Sequence, residues 1–92
     1  MTRTKADLVE YVATSTGFTK RDTAVIVDAF LNALCKALED NHRVEIRGLG
    51  VFKNKQRRPR VARNPKTGSP VHVPSRLVPT FKPSRLLKAR VV

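Results

Sequence analysis

The apolar positions of this chain change their spacing near residue 42, and the change divides it into a helical half and a strand half. In the first half, Leu8, Val9 and Val12 stand at helical spacing after Thr4-Lys5-Ala6-Asp7. That tetrapeptide is a capping-box-like start, in which the Thr4 hydroxyl serves an early backbone N–H. Gly17 breaks the segment. Thr19-Lys20-Arg21-Asp22 repeats the start signal, and the spacing predicts a long second helix to about Asp40, with Asn41 in the left-handed position after it. Of the fifteen residues from Ala24 to Leu38 twelve are apolar, and the exceptions, Asp28, Asn32 and Lys36, lie four apart on one narrow stripe. Such a helix needs more cover than one short helix and a small sheet supply, which predicts a self-paired helix in a homodimer.

The second half follows strand spacing. Val44 and Ile46 alternate with Glu45 and Arg47, Gly48-Leu49-Gly50 predicts a turn, and Val51 with Phe52 opens another strand. If Val44 and Ile46 face the core, Glu45 and Arg47 share the solvent side, where an ion pair between them is worth at most about 1 kcal/mol. From Lys53 to Arg76 there are eight basic residues and no acidic or aromatic ones. Within that stretch Val61 with Ala62, and Val71 with Val73, flank Arg63-Asn64-Pro65-Lys66-Thr67-Gly68-Ser69, where Asn-Pro favours turn initiation and Gly68 gives a permissive backbone. The pattern predicts a long two-stranded ribbon over about residues 53–76. Pro59, Pro70 and Pro74 fit it, since each ribbon strand has an unpaired edge where a missing N–H costs nothing. Leu77, Val78 and Phe81 return to the core, and Pro83-Ser84 introduces a short basic helix from Arg85 to about Val91, with Leu86 and Leu87 inward. The expectation is one α+β domain over 1–92: a helical dimerisation part at 1–41, then strands, arm and C-terminal helix at 42–92.

Charge sharpens this division. Residues 1–41 carry five basic and six acidic side chains, whereas residues 42–92 carry fourteen basic and one acidic, so the halves contribute −1 and +13 to the net charge of +12. Self-repulsion on that scale is relieved by a polyanion; nucleic acid leads, with an anionic membrane surface behind it. Ninety-two residues bury only about 60 to 65% of their unfolded surface, which again favours a partner chain. The single cysteine, Cys35, excludes an intrachain disulfide framework and lies in the apolar helix, where an inert core thiol is expected. No apolar run reaches the roughly 18 residues of a membrane span, and MTRTKADLVE lacks the apolar core of a secretory signal, so a cytoplasmic protein without membrane contact is expected.

Catalysis and cofactors find no support. His42 and His72 stand apart from other ligand-type residues, and Gly48 and Gly50 suit a tight turn rather than a phosphate loop. Tyr11, Phe18, Phe30, Phe52 and Phe81 lie on or beside apolar patterns rather than within the cationic ribbon, which demotes single-stranded nucleic acid in favour of duplex DNA. A basic protein of structured RNA is the rival from another class. At the ribbon tip Arg63 and Lys66 are placed to follow a groove or its phosphate walls and Asn64 to bond base edges, while Pro65 is equally a plain turn residue and a compact apolar wedge.

Gly48-Leu49-Gly50-Val51-Phe52, Arg63-Asn64-Pro65-Lys66-Thr67-Gly68 and Phe81-Lys82-Pro83 stand in the order and spacing of the HU and integration host factor family of bacterial DNA-bending proteins, and the chain resembles it from Leu8 to Leu87. The resemblance implies an intertwined dimer: a helical body, a small antiparallel sheet saddle, and two extended β-ribbon arms that enter the minor groove and place a proline between base pairs. By position it implies Pro65 as the wedge with Arg63, Asn64 and Lys66 beside it. Lys53, Lys55, Arg57, Arg58, Arg60 and Arg76 along the arm, and Lys82, Arg85 and Lys88 near the last helix, take phosphates. Ser84 stands where the family usually has glycine. Val44-Glu45-Ile46-Arg47-Gly48 resembles the integration host factor β subunit, which implies that Glu45 and Arg47 help select sequence. The expected function is a nucleoid protein that bends double-stranded DNA with low sequence specificity and a preference for distorted DNA; the alternative is a sequence-selective subunit of the integration host factor type. The expected assembly is a homodimer, or a heterodimer with a paralogous subunit.

Overall fold

Thr4 starts the first helix as the sequence predicts. In the computed structural model, which describes residues 1–92 except the side chain of Val73, the Thr4 hydroxyl accepts from the Asp7 N–H at 3.4 Å. The Asp7 carboxylate in turn accepts from the Thr4 N–H at 2.8 Å. This reciprocal cap opens α1 (Lys5–Thr16), and Gly17, at φ 81°, closes it. Thr19 caps α2 (Lys20–Glu39) through its hydroxyl, which accepts from the Asp22 N–H at 3.1 Å. At the other end Asn41 is left-handed, φ 59°, and two bonds finish the helix: the Asn41 N–H donates to Leu38 and the His42 N–H to Ala37. That pairing is a Schellman cap, and asparagine is the side chain that best substitutes for glycine there.

The chain forms two units, Met1–Lys36 and Ala37–Val92. In the first, α1 and most of α2 are joined by Lys5–Asp28 at 2.8 Å and Lys20–Glu10 at 3.3 Å, over a small core of Val9, Ala13 and Thr23. The covered face of α2 carries Thr23, Val27, Leu34 and Leu38, whereas Val25, Ile26, Phe30 and Leu31 are exposed within a single chain. Leu8, Tyr11 and Phe18 are exposed as well. Cys35 also lies exposed, contrary to the expected core position, because the side of α2 that carries it is not covered within the chain.

In the second unit β1 (Val44–Ile46), β2 (Gly50–Arg57) and β5 (Arg76–Pro83) form an antiparallel sheet in the order β1-β2-β5. β3 (Arg60–Arg63) and β4 (Pro70–Val73) form a separate two-stranded ribbon. One face of the sheet presents Val44, Ile46, Phe52 and Phe81, with the two rings 4.7 Å apart. Asn54 lies on the same face and donates from Nδ2 to the Leu38 carbonyl at 2.7 Å, which ties the strand to the end of α2. Ser84 caps α3 (Arg85–Arg90), its hydroxyl accepting from the Leu87 N–H at 3.0 Å; serine does here what glycine does less well. Leu87 is half-buried as expected, but Leu86 is exposed, since a helix of six residues offers one narrow inner stripe.

Gly50 is where backbone and ring approach most closely. A Cβ there would meet the Lys82 carbonyl oxygen and two Phe81 ring carbons at 2.6 and 2.8 Å. Gly50→Ala is therefore expected to destabilise the chain by about 1 to 3 kcal/mol, read as a lower urea midpoint with unchanged slope.

Candidate nucleic-acid interface

The register of β2 and β5 collects the cations. Val51 pairs with Lys82, Lys53 with Thr80, Lys55 with Val78 and Arg57 with Arg76. Directly paired residues share a face, so Lys53, Lys55, Arg57, Arg76 and Lys82 all emerge on the side opposite Phe52 and Phe81, with Thr80 among them. Thr80 Oγ1 donates to the Lys53 carbonyl at 2.9 Å and holds the strands together beneath those side chains. All five cations are exposed. The spacing of Lys53, Lys55 and Arg57 was legible as alternation, but the membership of Arg76, Lys82 and Thr80 required the register. Arg85 and Lys88 stand exposed on α3.

Beyond this face the ribbon pairs Arg60 with Val73, Val61 with His72, Ala62 with Val71 and Arg63 with Pro70. His72, which stands apart from other ligand-type residues in the sequence, is exposed and shares the Arg63 side of the ribbon. The expectation for Pro59 and Pro74 needs correction. Pairing runs from Gly50 to Arg57 and resumes at Arg60, so these prolines fall in a gap instead of sitting harmlessly on outer edges. Continuing the register sets them opposite each other, where both partners of one rung lack the N–H. Pro70 does pair, at the first position of β4.

The tip is organised by Asn64. Its N–H donates to Ser69 at 2.8 Å, its carbonyl accepts from Gly68 at 2.7 Å, and its Oδ1 accepts from the Lys66 N–H at 2.9 Å. These bonds close a loop that holds Pro65 exposed at the end of the arm. Asn64 is half-buried and its side-chain oxygen is occupied within the loop, which leaves its amide hydrogens to reach outward. Arg63 and Lys66 are exposed beside it.

Glu45 and Arg47 do not share a strand face. β1 ends at Ile46, and the Leu49 N–H donates to the Ile46 carbonyl at 3.0 Å, so Arg47 opens the turn while Glu45 stays in the ladder. Both are exposed, and no ion pair joins them among the described residues. The cross-face pair fails because the chain leaves the pleat one residue earlier than strict alternation implies.

Residues 3–92 match the family model described as Bacterial DNA-binding protein. Integration host factor subunit alpha of Phenylobacterium zucineum is 43% identical over 90 residues, 98% of this chain and 90% of that protein. The subunit alpha of Vibrio vulnificus is 43% identical over 91 residues, covering 99% and 96%. An Anabaena HU–DNA cocrystal structure superposes with a TM-score of 0.92 at 30% identity, covering 97% of both chains. HU from Thermotoga maritima gives 0.70 at 28%, covering 98% of this chain and all of that one. With the order of elements, the GLGVF turn and the RNPKTG tip all in place, the chain belongs to the family of bacterial DNA-binding proteins that includes HU and the integration host factor subunits.

Proposed function

We propose that the chain is a nucleoid architectural protein, active as a dimer, that binds duplex DNA through the minor groove and bends it with low sequence specificity and a preference for distorted DNA. The observation that carries this reading is the single cationic sheet face continued by a ribbon whose tip presents Pro65. Lys53, Lys55, Arg57, Arg76 and Lys82 on the face, with Arg58 and Arg60 at the arm and Arg85 and Lys88 on α3, hold phosphates. Arg63, Lys66 and the Asn64 amide line the groove, and Pro65 props open a base step.

Bending a site of 20 to 30 base pairs by 40 to 90° costs about 1 to 6 kcal/mol on smooth elastic estimates. A nick that removes even about 1.4 kcal/mol of that cost favours the nicked duplex tenfold. Competition mobility shifts among intact duplex, nicked duplex and looped RNA should rank the nicked duplex first; equal or better binding of the RNA overturns the reading.

Identity to integration host factor alpha subunits, and the exposure of Arg47 in the turn, favour sequence selection as the second reading. Across a panel of undistorted duplexes the expected outcome is a modest bias that Arg47→Ala removes, whereas a spread beyond about a thousandfold makes the selective reading the better one. Unchanged affinities in Arg47→Ala would leave Glu45 and Arg47 as surface charges.

A further inference from the structure

The fourteen basic residues of 42–92 are arginines and lysines, whose charge is fixed across the neutral range. The two histidines are the side chains there that change charge between pH 5 and 8. His42 follows α2, two residues beyond Asp40, whereas His72 lies in β4, inside a stretch from Lys53 to Arg76 that holds no acidic residue.

His72 pairs with Val61, and Arg63 is its diagonal neighbour on the same side of the ribbon, about 7 to 8 Å away. On the ribbon and at its two ends every charged group is a cation: Arg63 on that side, Arg60 on the other, Lys66 at the tip, and Arg57, Arg58 and Arg76 at the base. Glu45, the one acidic side chain of residues 42–92, pairs with Val51 at the end of β2 away from the arm. The His72 ring is exposed and makes no hydrogen bond or ion pair among the described residues. A protonated imidazole offers two N–H donors, and the arm has no carboxylate to receive them. A strand of phosphates along the Arg63 side supplies the missing anion, so that protonation and binding favour each other.

We propose that His72 makes duplex binding proton-linked: its imidazolium holds a backbone phosphate beside Arg63, and the affinity of the arm for DNA rises as the pH falls through the histidine range. The proton link rests on the DNA-binding reading of the arm and adds a control to it. Binding takes up at most one proton per arm, so log affinity rises by at most about one unit per pH unit and per arm. One such charge against one phosphate at the surface favours the complex about fivefold, and the two arms of a dimer about twenty-five-fold.

The test is a fluorescence anisotropy titration of a nicked duplex with the full chain, at constant ionic strength, from about pH 8 to about pH 5.5. Wild-type affinity should rise by at least about fivefold over that range. His72→Gln should keep the affinity seen at the upper pH and lose the rise. His72→Lys, whose charge is fixed, should bind at the upper pH as tightly as the wild type does at the lower, again without a rise. His42→Gln should retain the full wild-type rise. At the lower pH the wild-type slope of log affinity against log salt should steepen by about one unit per arm, and an unchanged slope overturns the phosphate contact. A rise that survives in His72→Gln, or disappears in His42→Gln, overturns the assignment to His72. A rise that survives in His72→Lys overturns it even if the Gln variant folds poorly. Tight duplex binding with a flat wild-type profile sinks the proton link and leaves the DNA-binding reading standing. Absence of duplex binding at every pH sinks that reading, and the proton link with it.

Discussion

Phe30→Asp should abolish the folded chain at micromolar concentration rather than weaken it. Within one chain the core of the first unit consists of Val9, Ala13 and Thr23, while Val25, Ile26, Phe30 and Leu31 of α2 stand in solvent. Fully burying a side chain of this kind contributes about 1.5 to 3 kcal/mol, and these four are 66, 59, 57 and 37% exposed, so covering what remains contributes roughly 3 to 7 kcal/mol per chain. Summed over the two chains of a dimer, that is as large as the whole stability of an ordinary small domain, about 5 to 15 kcal/mol. Folding and association should therefore be one event, and the wild-type chain should sediment as a dimer at micromolar concentration without DNA. An aspartate at Phe30 introduces a charge with no partner into the surface being buried, a cost that a contact of this size does not absorb. Sedimentation and circular dichroism on both proteins decide the matter, and a stable folded wild-type monomer sinks the idea. The contrast is Lys5→Ala, which breaks an exposed ion pair to Asp28 and should cost less than about 1 kcal/mol.

The parts of the fold that were legible in the sequence are those governed by one residue and its near neighbours. Thr4 and Thr19 cap their helices, Asn41 adopts the left-handed conformation that ends α2, and Asn64-Pro65 turns the ribbon, because each depends on side-chain chemistry within a few positions. Features that depend on pairing were less accessible. Alternation put Arg47 on a strand, but the turn begins at that residue, since the sheet needs only three residues of β1. Pro59 and Pro74 were each tolerable alone; their effect comes from standing opposite each other, which only the register reveals. The same holds for the cationic face, where Lys82 and Arg76 lie far along the chain from Lys53 and are brought beside it by eight consecutive pairs. Local pattern assigns Cys35 and Leu86 to a core, and a pattern cannot say whether the covering surface comes from the same chain.

Pro65→Ala and Arg58→Ala should fail in different ways. The bonds that shape the tip run between Asn64, Lys66, Gly68 and Ser69, and none involves the Pro65 side chain, so alanine keeps those bonds while it removes the ring and its constraint on φ. If that ring props open a base step, its loss reduces the DNA bend and the preference for nicked over intact duplex. The phosphate contacts survive, and the dependence of affinity on salt stays nearly unchanged. Arg58 lies in the arm between β2 and β3, exposed and far in sequence from the tip. Removing one phosphate contact lowers affinity on every duplex and reduces the slope of log affinity against log salt by about one unit. Its effect on the bend measured by fluorescence transfer across a bound duplex should be secondary, because the wedge remains. The two variants therefore separate along two axes, bend and salt slope, on the same pair of DNAs. Equal losses on both axes would show that wedge and anchor are not distinct functions of the arm, whereas a salt slope altered by Pro65→Ala alone would assign the tip to phosphate binding.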